Sequence, residues 1–339
     1  MDLEKNKLLL IEVKKLLKEA KSKVAYTINK TMVTTYYQIG KSIVEHLQSG
    51  NNRAKYGKSL LKKLSIELST EFGKGFSVDN LENMRQFYLV YSKSETLSRK
   101  TEQPEFNLSW SHYLKLSKLD TKDERKFYEI ESIKGNWSVR ELKRQLDSAL
   151  FQRLALSRNK EEVNRLSLEG QIIEKPEDSI KEPYILEFLG LEEKAIYSES
   201  DLENAIIDKL ETFLLELGKG FTFDSRQKRI SFAERHFYID LVFYNRFLKS
   251  FVLIDLKIGE LKHQDIGQMQ MYVNYYDREI KLPEESPTIG LILCKYKSKM
   301  VVEYTLPENQ NQIFASKYQT VLPSKDELKQ LLKLKDSGD

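Results

Sequence analysis

Two apolar runs decide how this chain folds: Tyr238-Ile239-Asp240-Leu241-Val242 and Leu253-Ile254-Asp255-Leu256-Lys257. Each reads as a strand carrying one carboxylate, and the second adds a lysine two residues on. Side chains of a strand alternate between its faces, so Asp255 and Lys257 point to one side. Apolar residues frame both charges: Phe237, Ile239, Leu241 and Val242 around the first, and Val252, Leu253, Ile254, Leu256 and Ile258 around the second. That framing describes a buried central pair of strands, where a charge needs a partner or a metal. An edge-strand aspartate beside a surface Asp-x-Lys ion pair is the plainer alternative, and the framing disfavours it. Asn245-Arg246-Phe247-Leu248-Lys249 is a short polar break of the hairpin kind. Counted outward from it, Asp240 and Asp255 lie about equally far along adjacent strands and become cross-strand neighbours. Two such carboxylates repel unless a cation joins them or one stays protonated.

The surrounding pattern supplies the rest of a mixed sheet. Leu202 to Leu217 reads as a helix, stopped by Gly218 and Gly220. Strand-like segments follow at 221–226, 228–233, 236–245 and 250–258. Gln264 to Tyr276 reads as a helix, Thr288 to Lys295 as a buried strand, Lys297 to Tyr304 as a short helix and Ile313 to Tyr318 as a last strand. Helix, strands, helix, strand is the order of an α/β domain with helices on the faces of its sheet. The spacing gives a domain over 201–322 and a tail over 323–339 with a helix at 325–334.

Residues 1–160 read instead as helices. Leu8, Leu9, Ile11, Val13, Leu16 and Leu17 fall near helical spacing, and the pattern continues over 23–47 to a turn at Ser49-Gly50-Asn51-Asn52. A helix over 59–72 closes at Gly73-Lys74-Gly75, and Ser77 caps the next, over 79–91. Helix, glycine turn, cap and helix together have the form of a helix-turn-helix. Its second helix carries Asn80, Asn83, Arg85 and Gln86, residue types suited to base edges or phosphates, and Lys74 lies in the turn. Residues 94–107 read as a loop, and helices restart at Trp110 and Asp123. Ser138 caps a helix running through Leu150, with Glu141 completing a capping box. Its Arg140 and Arg144 would face phosphates or simply solvent. Residues 161–200 read as a polar linker.

The chain has 339 residues, 40% hydrophobic and 31% charged, enough for two cored domains. The net charge of +4 hides an asymmetry: residues 1–160 hold 31 Lys/Arg against 19 Asp/Glu, and the remainder 24 against 32. A basic half suits a polyanion and an acidic half suits cations. No apolar run is long enough to span a membrane, and the mixed-charge N-terminus lacks a signal-peptide core, so the expected location is cytoplasmic. The single Cys294 sits in the buried-strand pattern, which excludes disulfides and a cysteine metal cluster. The four histidines lack zinc-ligand spacing. No phosphate-binding loop or serine nucleophile elbow occurs.

Cleaving a phosphodiester builds negative charge on the phosphorus centre, which a hard divalent cation held by oxygen ligands stabilises. Asp240, Asp255 and the Leu256 carbonyl would supply those oxygens for Mg²⁺ or Mn²⁺. Lys257 would orient the attacking water, lower its pKa, or neutralise the transition state.

These runs resemble the PD-(D/E)xK nuclease superfamily, in which an acid on one strand precedes acid-x-lysine on the next; Ile239 stands where the name has proline. Gln268-Met269-Gln270-Met271-Tyr272 resembles the glutamine-x-x-x-tyrosine helix of the RecB-like branch. Gln268 and Tyr272, four apart on a helix, would share a face toward the cleft. The resemblance also implies an acidic residue on the preceding helix, here Glu203, as a further metal ligand. Along nearly its whole length the chain resembles the YhcG-type family: Tyr56-Gly57-Lys58, Phe72-Gly73-Lys74-Gly75-Phe76-Ser77, Leu108-Ser109-Trp110-Ser111-His112-Tyr113, Trp137-Ser138-Val139-Arg140-Glu141-Leu142 and Phe237 to Tyr276 carry it. That resemblance implies a restriction-endonuclease-like C-terminal domain that cuts DNA and a helical DNA-binding N-terminal domain. A homodimer would suit paired cuts in duplex DNA. A non-catalytic DNA-binding or assembly subunit of a restriction or mobile-element defence system is the alternative, and RNA is the alternative substrate.

Overall fold

Helix α1 runs from Asp2 to Ser49, and helices α2 (Ala54–Phe72), α3 (Val78–Ser92), α4 (Trp110–Leu116), α5 (Lys122–Lys134) and α6 (Val139–Asp147) follow it. The computed structural model describes residues 2–49, 54–92, 105–156, 158–191, 197–232, 234–297, 299–306, 311–324 and 326–330. Turn residues 50–52, most of the expected loop at 94–107 and half of the expected tail helix at 325–334 lie outside the described residues. The chain divides into two units, Met1–Lys143 and Arg144–Asp339, the boundary falling inside α6.

Helices are the regular elements of the first unit's described residues. Its core joins Ile43 of α1, Leu61 of α2, and Leu81 and Met84 of α3. An aromatic cluster continues it: Phe87 packs against Tyr37, Tyr91, Phe106, Trp110 and Tyr113, with ring centroids 4.9 to 5.7 Å apart. Gly40 lets α1 and α3 close up, because a Cβ there would collide with the Met84 carbonyl. The α2–α3 turn uses Gly73 and Gly75 at positive φ (+79° and +124°), and the Ser77 hydroxyl accepts the Asn80 N–H at 3.2 Å.

The second unit contains α7 (Leu150–Leu156), α8 (Lys160–Glu169), β1 (Tyr184–Ile185), α9 (Glu199–Asp208), α10 (Leu210–Leu217), β2 (Phe221–Phe232), β3 (Arg235–Asn245), β4 (Ser250–Glu260), α11 (His263–Tyr275), β5 (Ile289–Tyr296), α12 (Lys299–Thr305) and β6 (Ile313–Gln319). Its sheet has the order β1-β6-β5-β4-β3-β2. β2, β3 and β4 are antiparallel neighbours, while β4, β5, β6 and β1 run parallel. One face packs Leu202, Ile206, Phe213 and Leu217 of α9 and α10 against Leu241, Phe243, Ile254 and Leu256. The other packs Ile266, Met269, Tyr272 and Val273 of α11 against Val242, Leu253, Ile292 and Cys294. β4 is buried from Val252 to Leu256.

Four sequence expectations change. Residues 161–200 are not a plain linker: α8 lies there, and β1 pairs with β6 through Tyr184↔Tyr318. The short apolar run Tyr184-Ile185-Leu186, fully buried, makes that strand inside an otherwise polar stretch. The helix over 202–217 is two helices, broken where Lys209 leaves helical geometry (φ −119°, ψ 29°). The helix from Ser138 to Leu150 likewise ends early, at Asp147, before Ala149 turns to φ +51°. Strands 221–226 and 228–233 are instead one strand, β2, whose register with β3 shifts between Phe223 and Ser225.

Candidate active site

β3 and β4 pair from Asn245↔Ser250 up to Leu241↔Ile254. One step further the register would set Asp240 opposite Asp255, and there the ladder opens. The Asp240 side chain takes over the lost backbone bond: its Oδ2 accepts the Leu256 N–H at 2.8 Å. On β2, Arg226 opposes Leu241 and Lys228 opposes Ile239, so Gln227 lies across from Asp240. The Gln227 amide donates to Asp240 Oδ1 at 3.1 Å and to Glu203 Oε2 at 2.6 Å. Gln227 thereby ties α9 to the strand pair. Its backbone has φ +48°, the left-handed region that L-residues seldom adopt.

Asp255 and Lys257 share a face, as strand alternation requires. Lys257 Nζ lies 2.9 Å from Asp255 Oδ2 and 3.6 Å from Glu199 Oε2 at the start of α9. Asp255 is 2% exposed. Its buried Oδ2 has the Lys257 ammonium as its ion-pair partner. Burial and the neighbouring Asp240 outweigh Lys257 and push the Asp255 carboxyl up to about 7. Burial also raises Asp240, against the Leu256 N–H, Lys257 and Gln227. Burial alone would lower Lys257; Asp255 and Glu199 beside it outweigh that and raise it, so it stays a cation at neutral pH.

Glu203 is 4% exposed, with Arg226 Nε 3.1 Å from its Oε1. Burial raises it, opposed by Gln227 and Arg226. Among the described residues no three His, Cys, Asp or Glu side chains gather into a metal cluster; Gln227 stands between Glu203 and Asp240. The donor set is still all oxygen. A buried carboxylate whose pKa is raised by burial, beside a second carboxylate, fits a hard divalent cation.

Tyr272 and Gln268 meet on α11, the Gln268 amide donating to the Tyr272 hydroxyl. Tyr272 is fully buried, and its hydroxyl donates to the Tyr238 carbonyl at 2.9 Å. It therefore fixes β3 two residues before Asp240. This corrects the expectation that Tyr272 opens onto the cleft.

The expected nucleic-acid contacts divide. Lys74, Gln86 and Arg140 are exposed, and Asn83 is half-buried. Asn80 is spent internally, accepting from Trp110 Nε1 at 3.0 Å and donating to the Gly75 carbonyl. Arg85 pairs with Glu82 one turn away, Nε to Oε2 at 2.9 Å. Arg144 is a correction: it lies 3.4 Å from the buried Glu216 and 3.5 Å from Glu187, stacked over Phe188. A guanidinium held by two carboxylates is already neutralised and is not offered to a phosphate. Gln227 and Glu199 were missed from sequence: both owe their place to a strand irregularity and a tertiary contact, neither of which leaves a motif.

Residues 177–333 match the model of the YhcG PDDEXK nuclease domain, and residues 12–153 match the DUF1016 N-terminal domain. A protein of Escherichia coli (strain K12) named "Putative nuclease YhcG" is 36% identical, over 92% of this chain and 90% of its own length. Among solved structures, a repair endonuclease from Pyrococcus abyssi aligns at 17% identity over 39% of this chain and 50% of its own, with a TM-score of 0.25. An EndoMS–dsDNA complex aligns at 15% identity over 40% and 48%, with a TM-score of 0.26. The shared sequence along nearly the full length places this chain in the YhcG family, a DUF1016 N-terminal domain followed by a PDDEXK nuclease domain.

Proposed function

We propose that this chain hydrolyses DNA phosphodiester bonds with a divalent ion, Mg²⁺ or Mn²⁺, held by Asp240, Asp255 and the Leu256 carbonyl. Glu203 would join through the Gln227 bridge. The reading rests most on one observation: Asp255, 2% exposed, faces the Lys257 ammonium at 2.9 Å with a second carboxylate, Asp240, beside it. Bound there, the ion would supply Lewis-acid stabilisation of phosphoryl charge and a more acidic water. Lys257, held as a cation, would orient that water and offset transition-state charge, rather than remove its proton. Tyr272 and Gln268 would hold β3 and β4 at the spacing the carboxylates need. The N-terminal unit would bind DNA through Lys74, Asn83, Gln86 and Arg140, a use its surplus of basic residues supports. No helix among the described residues is long and apolar enough to cross a membrane.

The test is purified full chain with duplex DNA and Mg²⁺. Wild type should cut, and Asp255→Ala and Lys257→Ala should lose cutting by at least about 100-fold while binding DNA normally. Metal-dependent cutting by Asp255→Ala would refute the assignment. Binding without cutting by wild type would favour a DNA-binding subunit, and preferential cutting of RNA would move the substrate class.

A further inference from the structure

The first part of α1 stands clear of the core of its unit. Burial begins at Val33 and Tyr37, whereas residues 9–21 and 23–29 are exposed. Leu9, Leu10, Val13, Leu16, Leu17 and Val24 show 41% to 59% of their surface to solvent. An apolar stripe of this length is larger than an ordinary protein surface leaves uncovered.

The stripe has a period. Leu10, Leu17 and Val24 are seven residues apart, and Val13, Ala20 and Thr27 each follow three residues later. These are the a and d positions of a heptad. A strict seven-residue repeat keeps one seam facing a second helix that winds around it, whereas a helix on a globular core repeats at 3.6.

We propose that α1 pairs, parallel and in register, with α1 of a second copy of this chain, making a homodimer joined by a coiled coil over residues 9–28. The proposal stands whether or not the chain is a hydrolase. Charge selects the orientation. Lys14 and Lys21 occupy e positions and Leu9 and Leu16 occupy g positions. In a parallel pair each g side chain meets the e side chain five residues on in the other copy. Leu9 then covers the aliphatic stem of Lys14, and Leu16 that of Lys21. An antiparallel pair would set lysine against lysine. The area is also sufficient. The exposed apolar side chains offer on the order of 600 Å² per copy, so pairing buries at most about 1,200 Å² in all, which reaches the lower end of specific interfaces.

The test is sedimentation velocity of the full chain. Wild type should sediment at twice the chain mass, and the triple variant Leu10→Glu, Leu17→Glu, Val24→Glu at half that value. Tryptophan fluorescence, from Trp110 packed on Phe87 and Tyr36, should show the variant's core intact. Leu10→Cys and Val24→Cys should each cross-link to their own kind on oxidation, whereas Lys18→Cys, on the outer face, should not. The native Cys294 is buried and should not interfere. A monomeric wild type overturns the proposal, including one that binds anionic phospholipid vesicles through this helix. So does a triple variant with wild-type mass, or cross-linking only between Leu10→Cys and Val24→Cys chains.

Discussion

Gln227 occupies the place where Glu203 and Asp240 would otherwise confront each other. Its amide donates to both, setting partial positive charge between the buried Glu203 and the half-buried Asp240. A left-handed backbone inside a strand persists only where its surroundings hold it, and such positions cluster at sites of function. Gln227→Ala leaves the carboxylates unbridged. We expect Mn²⁺ affinity, measured by titration calorimetry, to weaken by roughly 10- to 100-fold, the range for groups that orient metal ligands. An unchanged affinity would reduce Gln227 to a structural link. Asp240, Asp255 and Lys257 were legible in the sequence because charge inside an apolar strand is conspicuous. Gln227 was not, since it sits among polar residues, Ser225 to Arg229, and depends on an irregular strand to reach the site. Arg144 misled for a related reason. An arginine on an amphipathic helix looks solvent-facing until its partner Glu216, distant in sequence, is known.

At the scale of elements, two contacts decide how helices sit. Gly40 brings α1 against α3 at the Met84 carbonyl. Gly40→Ala forces a backbone apart, and overpacking of this kind costs about 1–3 kcal/mol. Urea unfolding followed by tryptophan fluorescence should show the loss, because both tryptophans, Trp110 and Trp137, lie in the first unit. In the second unit the fully buried Glu216 anchors α10 to α7 and β1. It pairs with Arg153, accepts the Ile185 N–H at 2.9 Å, and its own carbonyl accepts from Lys181. Burial would raise Glu216, but Arg153 and Lys181 outweigh it and hold it at about 2. Its folded pKa is depressed, so its contribution is complete above the ordinary glutamate range and disappears only as pH falls toward 2. Arg153→Ala would remove the fully buried partner of that carboxylate, leaving Arg144 at 3.4 Å, and cost about 3–5 kcal/mol. Hydrogen exchange at Tyr184–Leu186 should quicken accordingly. The hairpin, the flanking helices and the last strands were readable because periodicity and turn residues are local. β1 was not, since two residues of a three-residue apolar run become a strand only when β6 supplies the ladder.

Across the whole molecule, stability and pH are linked through the site, and the proposed metal would join them. Burial raises Asp255 to about 7, and it raises Asp240 and Glu203 as well. The folded chain therefore keeps protons that the unfolded chain would release above the ordinary carboxylate range. Stability from these groups is fully present below that range and declines as pH rises toward 7. Glu216 contributes equally at pH 5 and pH 8, so it does not mask the trend. In EDTA, protection of the β4 amides, corrected for intrinsic exchange, should be greater at pH 5 than at pH 8. A cation that binds only the folded, ionised carboxylates reverses this, because its stabilisation grows as the logarithm of one plus its concentration over Kd, and it competes with protons. Mg²⁺ should therefore restore β4 protection at pH 8 and add little at pH 5. Asp255→Asn, neutral at both values, should flatten both the pH trend and the Mg²⁺ response. If β4 protection in the wild type ignores Mg²⁺ at pH 8, the paired acids do not hold a cation, and their raised protonation is only the cost of burying two carboxylates in one strand pair.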